Sequence, residues 1–207
     1  MKKYELTDET IEVYGTALHR IKALKDFGNV KKGELGGYVE SEHNLSQEGN
    51  CWVCGNAEVY DNAEVYDNAE VCGNAEVYDN ALVYGNAKVY SNAKVYGNAK
   101  VYSNAKVYGN ALVYGNAKVC GNALVYGNAK VYSNADYITI KGLGSVCRNT
   151  TIFRTKGKNI AVKCGCFYGT LAEFVDKVKE THGNSKFAKE YLALIDLVKI
   201  HFELEDK

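Results

Sequence analysis

Proline is absent from this sequence, and methionine and tryptophan occur once each. Without proline every residue keeps its backbone donor, which is compatible with long stretches of regular hydrogen-bonded chain. Excess charge of either sign is missing too, because 25 lysines and arginines balance 25 aspartates and glutamates. That balance removes the global electrostatic argument for a nucleic-acid partner or a membrane surface, and neither is expected. No apolar run approaches the roughly 18 residues of a membrane-spanning helix. Met1-Lys2-Lys3-Tyr4-Glu5-Leu6-Thr7-Asp8 lacks the apolar centre of a signal peptide. The seven cysteines are odd in number and lack the spacing of a disulfide scaffold. They predict free thiols in a reducing compartment, hence a cytoplasmic protein.

What is present in excess is a beat of six. Valine recurs at every sixth position from Val53 to Val131, fourteen times in all, and an Asn-Ala pair keeps time from Asn56-Ala57 to Asn134-Ala135. Six fits neither a helix nor a coiled coil, but it fits an extended segment plus a corner. In Ala57-Glu58-Val59-Tyr60 the alanine and valine are two apart and share one side, while Glu58 and Tyr60 share the other. The following pair, Gly, Asp or Ser before Asn, has turn chemistry, with asparagine able to adopt a left-handed backbone conformation. Each hexad thus predicts a four-residue strand and a two-residue bend, wound so that coils pair about 4.8 Å apart.

The phrase Val65-Tyr66-Asp67-Asn68-Ala69-Glu70 resembles the hexapeptide repeat of left-handed parallel β-helix proteins. The resemblance implies a three-sided prism with 18 residues per coil, so that fourteen hexads make about 4.7 coils, roughly 22 Å long. Residues 18 apart then stack outside the tube. One column reads Tyr60, Tyr78, Tyr96, Tyr114, Tyr132; a second Tyr66, Tyr84, Tyr102, Cys120; a third Cys54, Cys72, Tyr90, Tyr108, Tyr126. These ladders, with Lys88, Lys94, Lys100 and Lys106 beside them, are the candidate binding surface. Charge is sorted along the prism: residues 53–81 carry seven acids and no base, and residues 82–135 six lysines and no acid. Like charges are expected one coil apart, with a negative and a positive end suited to antiparallel pairing or a polar partner.

Both ends of such a coil need caps. Residues 1–43 are expected to form a β cap, with strands around "TALHRIKAL" and "GGYVES" and with Gly33, Gly36 and Gly37 at turns. Residues 44–136 form the β-helix and residues 137–207 an α+β domain. In the latter, "YITIKGL" and a hairpin around Lys156-Gly157-Lys158-Asn159 precede two helices. The first opens on the capping box Thr170-Leu171-Ala172-Glu173 and ends at Gly183. The second, from about Ser185 to Phe202, presents Phe187, Tyr191, Ile195, Val198 and Phe202 along one face. The region "HRIKALKDFGNVKKGELGGYVESEHNLSQEGNCWV" resembles the amino-terminal part of a hexapeptide-repeat group of bacteria, phages and prophages, some of whose members carry a provisional acyltransferase label. The module with "CGCFYGTLAEF" resembles a small β-β-α-α domain found beside such arrays in phage-related proteins.

Acyltransferases of the hexapeptide class, as the resemblance implies, use a coil histidine as general base. The four histidines are His19, His43, His182 and His201, and none lies in the regular hexads. His43, just before the first coil, is the only candidate base near the prism. Cys51 and Cys54 are expected on opposite sides of the wall, unable to share a metal, and Cys54 and Cys72 as neighbouring thiols. Cys164-Gly165-Cys166, read as facing one way in a strand with His182 as a candidate neighbour, is a further metal or nucleophilic candidate. No cofactor is expected. Three readings result. One is a non-catalytic protein-binding scaffold, self-associating into a homo-oligomer or acting as a phage accessory protein on host machinery, counter-defence included. The others are an acyltransferase-like enzyme and a protein that captures a small ligand between prism and carboxy-terminal domain.

Overall fold

The computed structural model describes residues 2–204. Met1 and residues 205–207 lie outside that range. The hexads form a parallel β-solenoid of three faces. The first stacks Glu58–Val59, Glu76–Val77, Lys94–Val95, Leu112–Val113 and Lys130–Val131. The second stacks Trp52–Val53, Glu70–Val71, Lys88–Val89, Lys106–Val107 and Leu124–Val125, and the third Glu64–Val65, Leu82–Val83, Lys100–Val101 and Lys118–Val119. Register is 18 residues throughout, as in Lys88 opposite Lys106. The Lys88 N–H donates to Ala105 O at 2.9 Å and the Tyr90 N–H to Val107 O at 3.0 Å, tying each coil to the next. The repeat valines and the alanines from Ala57 to Ala129 are fully buried. Each valine contributes about 1.5–3 kcal/mol of gross burial.

Two details of the repeat differ from the sequence reading. The paired rung is two residues long rather than four, and the tyrosine carbonyl already closes the corner, as where the Ala63 N–H donates to Tyr60 O at 3.2 Å. At the corner, the residue before the asparagine takes the left-handed backbone, and the asparagine does not: Asp61, Asp67, Asp79, Ser91, Ser103 and the corner glycines have φ between 56° and 79°. The aspartates offset that strain by reaching along the prism. Asp67 Oδ2 accepts the Gly85 N–H at 3.1 Å and Asp79 Oδ2 the Gly97 N–H at 3.0 Å. The asparagines are held instead by one another, in ladders such as Asn56–Asn74–Asn92–Asn110, each amide donating to the next.

At the amino-terminal end, strands β1 (Tyr4–Val13) and β2 (Thr16–Ala23) form a hairpin, and β3 (Leu35–Val39) joins it to the first face by pairing in parallel with Glu58–Val59. Gly33 sits in a turn, but Gly36 and Gly37 lie inside β3, which corrects their assignment to turns. They are there for lack of a Cβ: one built at Gly37 would be 2.5 Å from Ala57 O, and one at Gly36 would be 2.4 Å from Ile21 Cγ1. The hairpin folds against the first face, where Leu18, Tyr38 and Tyr60 bury one another. Beneath the first coil, Lys3 is buried and donates to Cys51 O at 3.0 Å and Glu48 O at 3.2 Å, with Cys51 Sγ 3.2 Å away. Burial pushes the Lys3 ammonium down and the Cys51 thiol up from their ordinary pKa values.

The carboxy-terminal unit has four antiparallel strands, Tyr137–Leu143, Arg148–Arg154, Ile160–Cys164 and Phe167–Thr170, not the two of a β-β-α-α arrangement. Helices α1 (Leu171–His182) and α2 (Lys186–Phe202) cover one side. Thr170 and Glu173 make the capping box, and Ser185 caps α2 through the Ala188 N–H. Along α2, Ala188 and Leu194 are buried with Tyr191, Ile195, Val198 and Phe202, while Phe187 is only half-buried. The sheet closes the prism: Phe153 and Ala161 enter the tube's core, and the Leu124 N–H donates to Thr151 Oγ1 at 3.0 Å.

Candidate binding face and cleft

The tyrosines point outward and stack one coil apart. Ring centroids are 5.2, 5.0 and 5.1 Å apart from Tyr60 through Tyr78 and Tyr96 to Tyr114, and Tyr132 ends that column tilted and 58% exposed. Tyr66–Tyr84 and Tyr84–Tyr102 are 4.8 and 5.0 Å apart, Tyr90–Tyr108 4.8 Å. The three faces differ in what lies over them. The hairpin shuts Tyr60 to 4% exposure and packs on Tyr78. On the second face Tyr168 meets Tyr126 edge-on and Lys163 Nζ sits 5.5 Å above its ring. On the third, Tyr66, Tyr84 and Tyr102 make ring contacts only with one another among the described residues. Burial in the stacks raises the pKa values of Tyr60, Tyr66, Tyr90 and Tyr96, and those of Tyr78 and Tyr108 to about 12.

Sorted charge has the expected neighbours in Glu58–Glu76 and Lys100–Lys118. Burial first, and then Glu76, pushes the Glu58 carboxyl above its usual pKa. Where the sign changes, the expectation of like neighbours fails, because acid meets base: Lys88 pairs with Glu70 and Lys94 with Glu76, each at 2.8 Å. Lys100, Lys106, Lys118 and Lys130 form no ion pair among the described residues.

His43 is exposed at the first corner with Nε2 3.9 Å from Glu64 Oε1. Cys51 is buried inside the wall and Cys54 outside it. Cys54 and Cys72 are joined in a disulfide, which corrects the expectation of thiols; stacking places their Cα atoms 4.6 Å apart. The bridge closes a loop of 18 residues, and the chain-entropy argument gives it about 3 kcal/mol. The double variant Cys54→Ala/Cys72→Ala should therefore unfold at lower urea, with m unchanged or slightly raised because the unfolded chain is no longer cross-linked; an unmoved midpoint would show the bridge to be energetically idle.

Cys164-Gly165-Cys166 is a turn rather than a strand: Cys164 ends a strand and is buried, Gly165 has φ of 55°, and Cys166 is exposed. Cys164, Cys166 and His182 nevertheless line one cleft of about 440 Å³, together with Arg148, Phe167, Phe174 and Tyr191. No group of three or more histidine, cysteine or acidic side chains among the described residues is placed to hold a metal. The sequence reading named the thiols and His182 but missed Arg148 and Tyr191. A second hollow, between Asn128 of the prism and Thr170–Glu173 of the module, is a broad groove rather than a closed cleft. No helix among the described residues is long and apolar enough to cross a membrane.

With the coils and their decoration established, comparison with known proteins gives two findings. The YdcK beta solenoid repeat family matches residues 105–120. A protein of Escherichia coli (strain K12) named as the uncharacterized acetyltransferase YdcK is 39% identical over 61 residues, covering 26% of this chain and 19% of the relative. The chain thus spans about a fifth of the length of that curated relative. The likeness supports what the stacked faces display, a repeat β-solenoid similar to that of YdcK.

Proposed function

We propose that the protein is a non-catalytic binding scaffold whose third face takes a second copy of the chain in antiparallel orientation. The observation that carries the reading is the change of charge along an aromatic face whose rings no other ring covers: Glu64 stands at one end and Lys100 and Lys118 at the other, where the Tyr137 hydroxyl donates to Lys118 O at 2.7 Å, with Tyr66, Tyr84 and Tyr102 beside them. A two-fold axis through the middle of this face puts Glu64 opposite Lys118 of the second copy and Tyr84 opposite Tyr102, a self-complementary arrangement. Four rungs at about 4.8 Å make a small patch, so the dimer is weak and sensitive to salt. Sedimentation velocity at about 100 μM in low salt should show it, with Lys118→Glu weakening association about tenfold and Glu64→Lys added to Lys118→Glu restoring it. A strictly monomeric particle under those conditions overturns self-association and turns the search to an acidic host protein.

The second reading is acyl transfer, supported by the name of the relative and by His43 standing beside Glu64. It predicts acetyl-coenzyme A binding by calorimetry that is lost in His43→Ala.

A further inference from the structure

We propose that the cleft of the carboxy-terminal module is a binding site for a small organic anion with an aromatic body. The floor is apolar and aromatic. Phe174 and Tyr191 are each 4% exposed and meet edge-to-face at 5.5 Å, and Phe167 lies 5.2 Å from Phe174. The rim is cationic. Arg148, Lys177 and His182 line the cleft, and no carboxylate among the described residues does. Lys177 is matched by Glu180 at 2.8 Å, and the carboxylate nearest in sequence to Tyr191, Glu190, is engaged by the Gly144 N–H at 3.0 Å and by Lys186. Arg148 forms no ion pair among the described residues.

Two features hold this arrangement. The Arg148 guanidinium lies across Gly165, where an added Cβ would be 2.4 Å from Nη1 and 2.8 Å from Cδ, so the side chain rests on the bare backbone of the CGC turn at the mouth of the cleft. The His182 ring lies nearly parallel to Tyr191 at 5.8 Å, which keeps it at the opening. An uncompensated guanidinium beside aromatic rings favours a carboxylate or phosphate on an aromatic frame: the fork takes the anion and the rings take the body. About 440 Å³ lies in the range of small-molecule sites and exceeds what one aromatic acid fills. This site is independent of the prism face and of the dimer.

The test uses the full chain, with amide chemical shifts followed by NMR on adding benzoate and phenyl phosphate, against benzyl alcohol and benzylamine. Saturable shifts are expected at Arg148, Cys166 and His182 with the two anions, and binding at least about tenfold weaker with the neutral and cationic probes. Arg148→Gln should lose about tenfold for benzoate and leave benzyl alcohol unchanged. Arg148→Lys, which keeps charge but not the fork, should recover part of the loss for benzoate and less for phenyl phosphate. The variants' spectra report whether the module is folded. No saturable shift by about 10 mM, equal affinity for benzyl alcohol, or indifference to Arg148→Gln overturns the proposal.

Discussion

Gly37→Ala is expected to destabilise the amino-terminal cap by about 3 kcal/mol or more. The added methyl has no room: its position is 2.5 Å from Ala57 O and 2.8 Å from Val53 Cγ1, and both belong to coils that cannot shift without breaking their rungs. Gly36→Ala meets Ile21 Cγ1, Val53 O and the Trp52 ring within 2.7 Å and should act alike. The control is Gly15→Ala, at the hairpin tip with φ of 86° and nothing within 4 Å. It carries only the left-handed backbone penalty, about 1 kcal/mol. Trp52, the sole tryptophan, is buried on the first rung of the second face against Tyr4 and Phe27 of the cap, so its fluorescence in urea reports the transition directly. Equal midpoints for Gly37→Ala and Gly15→Ala would mean that the cap is looser than its contacts imply. Loss of the cap also bares the first coil's strand edge, so aggregation should accompany unfolding.

The second large effect is alkaline collapse. A tyrosine ionises near pH 10 in an unfolded chain. In the stacks, burial holds Tyr78 and Tyr108 up to about 12 and raises Tyr60, Tyr66, Tyr90 and Tyr96 as well; Tyr191 in the module is also pushed up to about 12. The folded state therefore keeps protons that the unfolded state gives up. Stability from this source is complete below pH 10 and drains away as pH rises from 10 towards 12. A tenfold difference in acidity between the folded and unfolded chain corresponds to about 1.4 kcal/mol before screening. With discount for solvent, Tyr78 and Tyr108 contribute on the order of 1 kcal/mol each, a sizeable share of a domain's net stability. The raised tyrosines should ionise above pH 10 in one cooperative step, seen as a late rise in tyrosinate absorbance together with loss of the β signal in circular dichroism. Smooth ionisation centred on pH 10 with intact circular dichroism would show that the rings are effectively solvated.

How far the sequence could be read depended on whether a residue's role was set within its own hexad. Valine and alanine inward with tyrosine outward followed from alternation alone, and the structure has them so. The corner was only half legible because two turn residues stand side by side. Which of them bends left-handed is decided by stacking on the next coil, as the Asp67–Gly85 contact shows. Gly36 and Gly37 were misplaced for a related reason: a doublet of glycines signals a turn locally, whereas their need is set by Ile21, Val53 and Ala57. Strand β1 went unseen because Thr7, Asp8, Glu9 and Thr10 interrupt its apolar alternation at an irregularity in the pairing. The cleft was half legible: Cys164, Cys166 and His182 stood out by type, whereas Arg148 and Tyr191 reach it only through the sheet and α2.

The constant 18-residue register makes the middle of the chain interchangeable with itself. Adding or removing one whole turn alters neither the cap nor the closing sheet, and changes only how far apart they stand, by about 4.8 Å each time. Evolution can therefore set the reach of this molecule as one sets a calliper, by copying eighteen codons, while both jaws keep their shape.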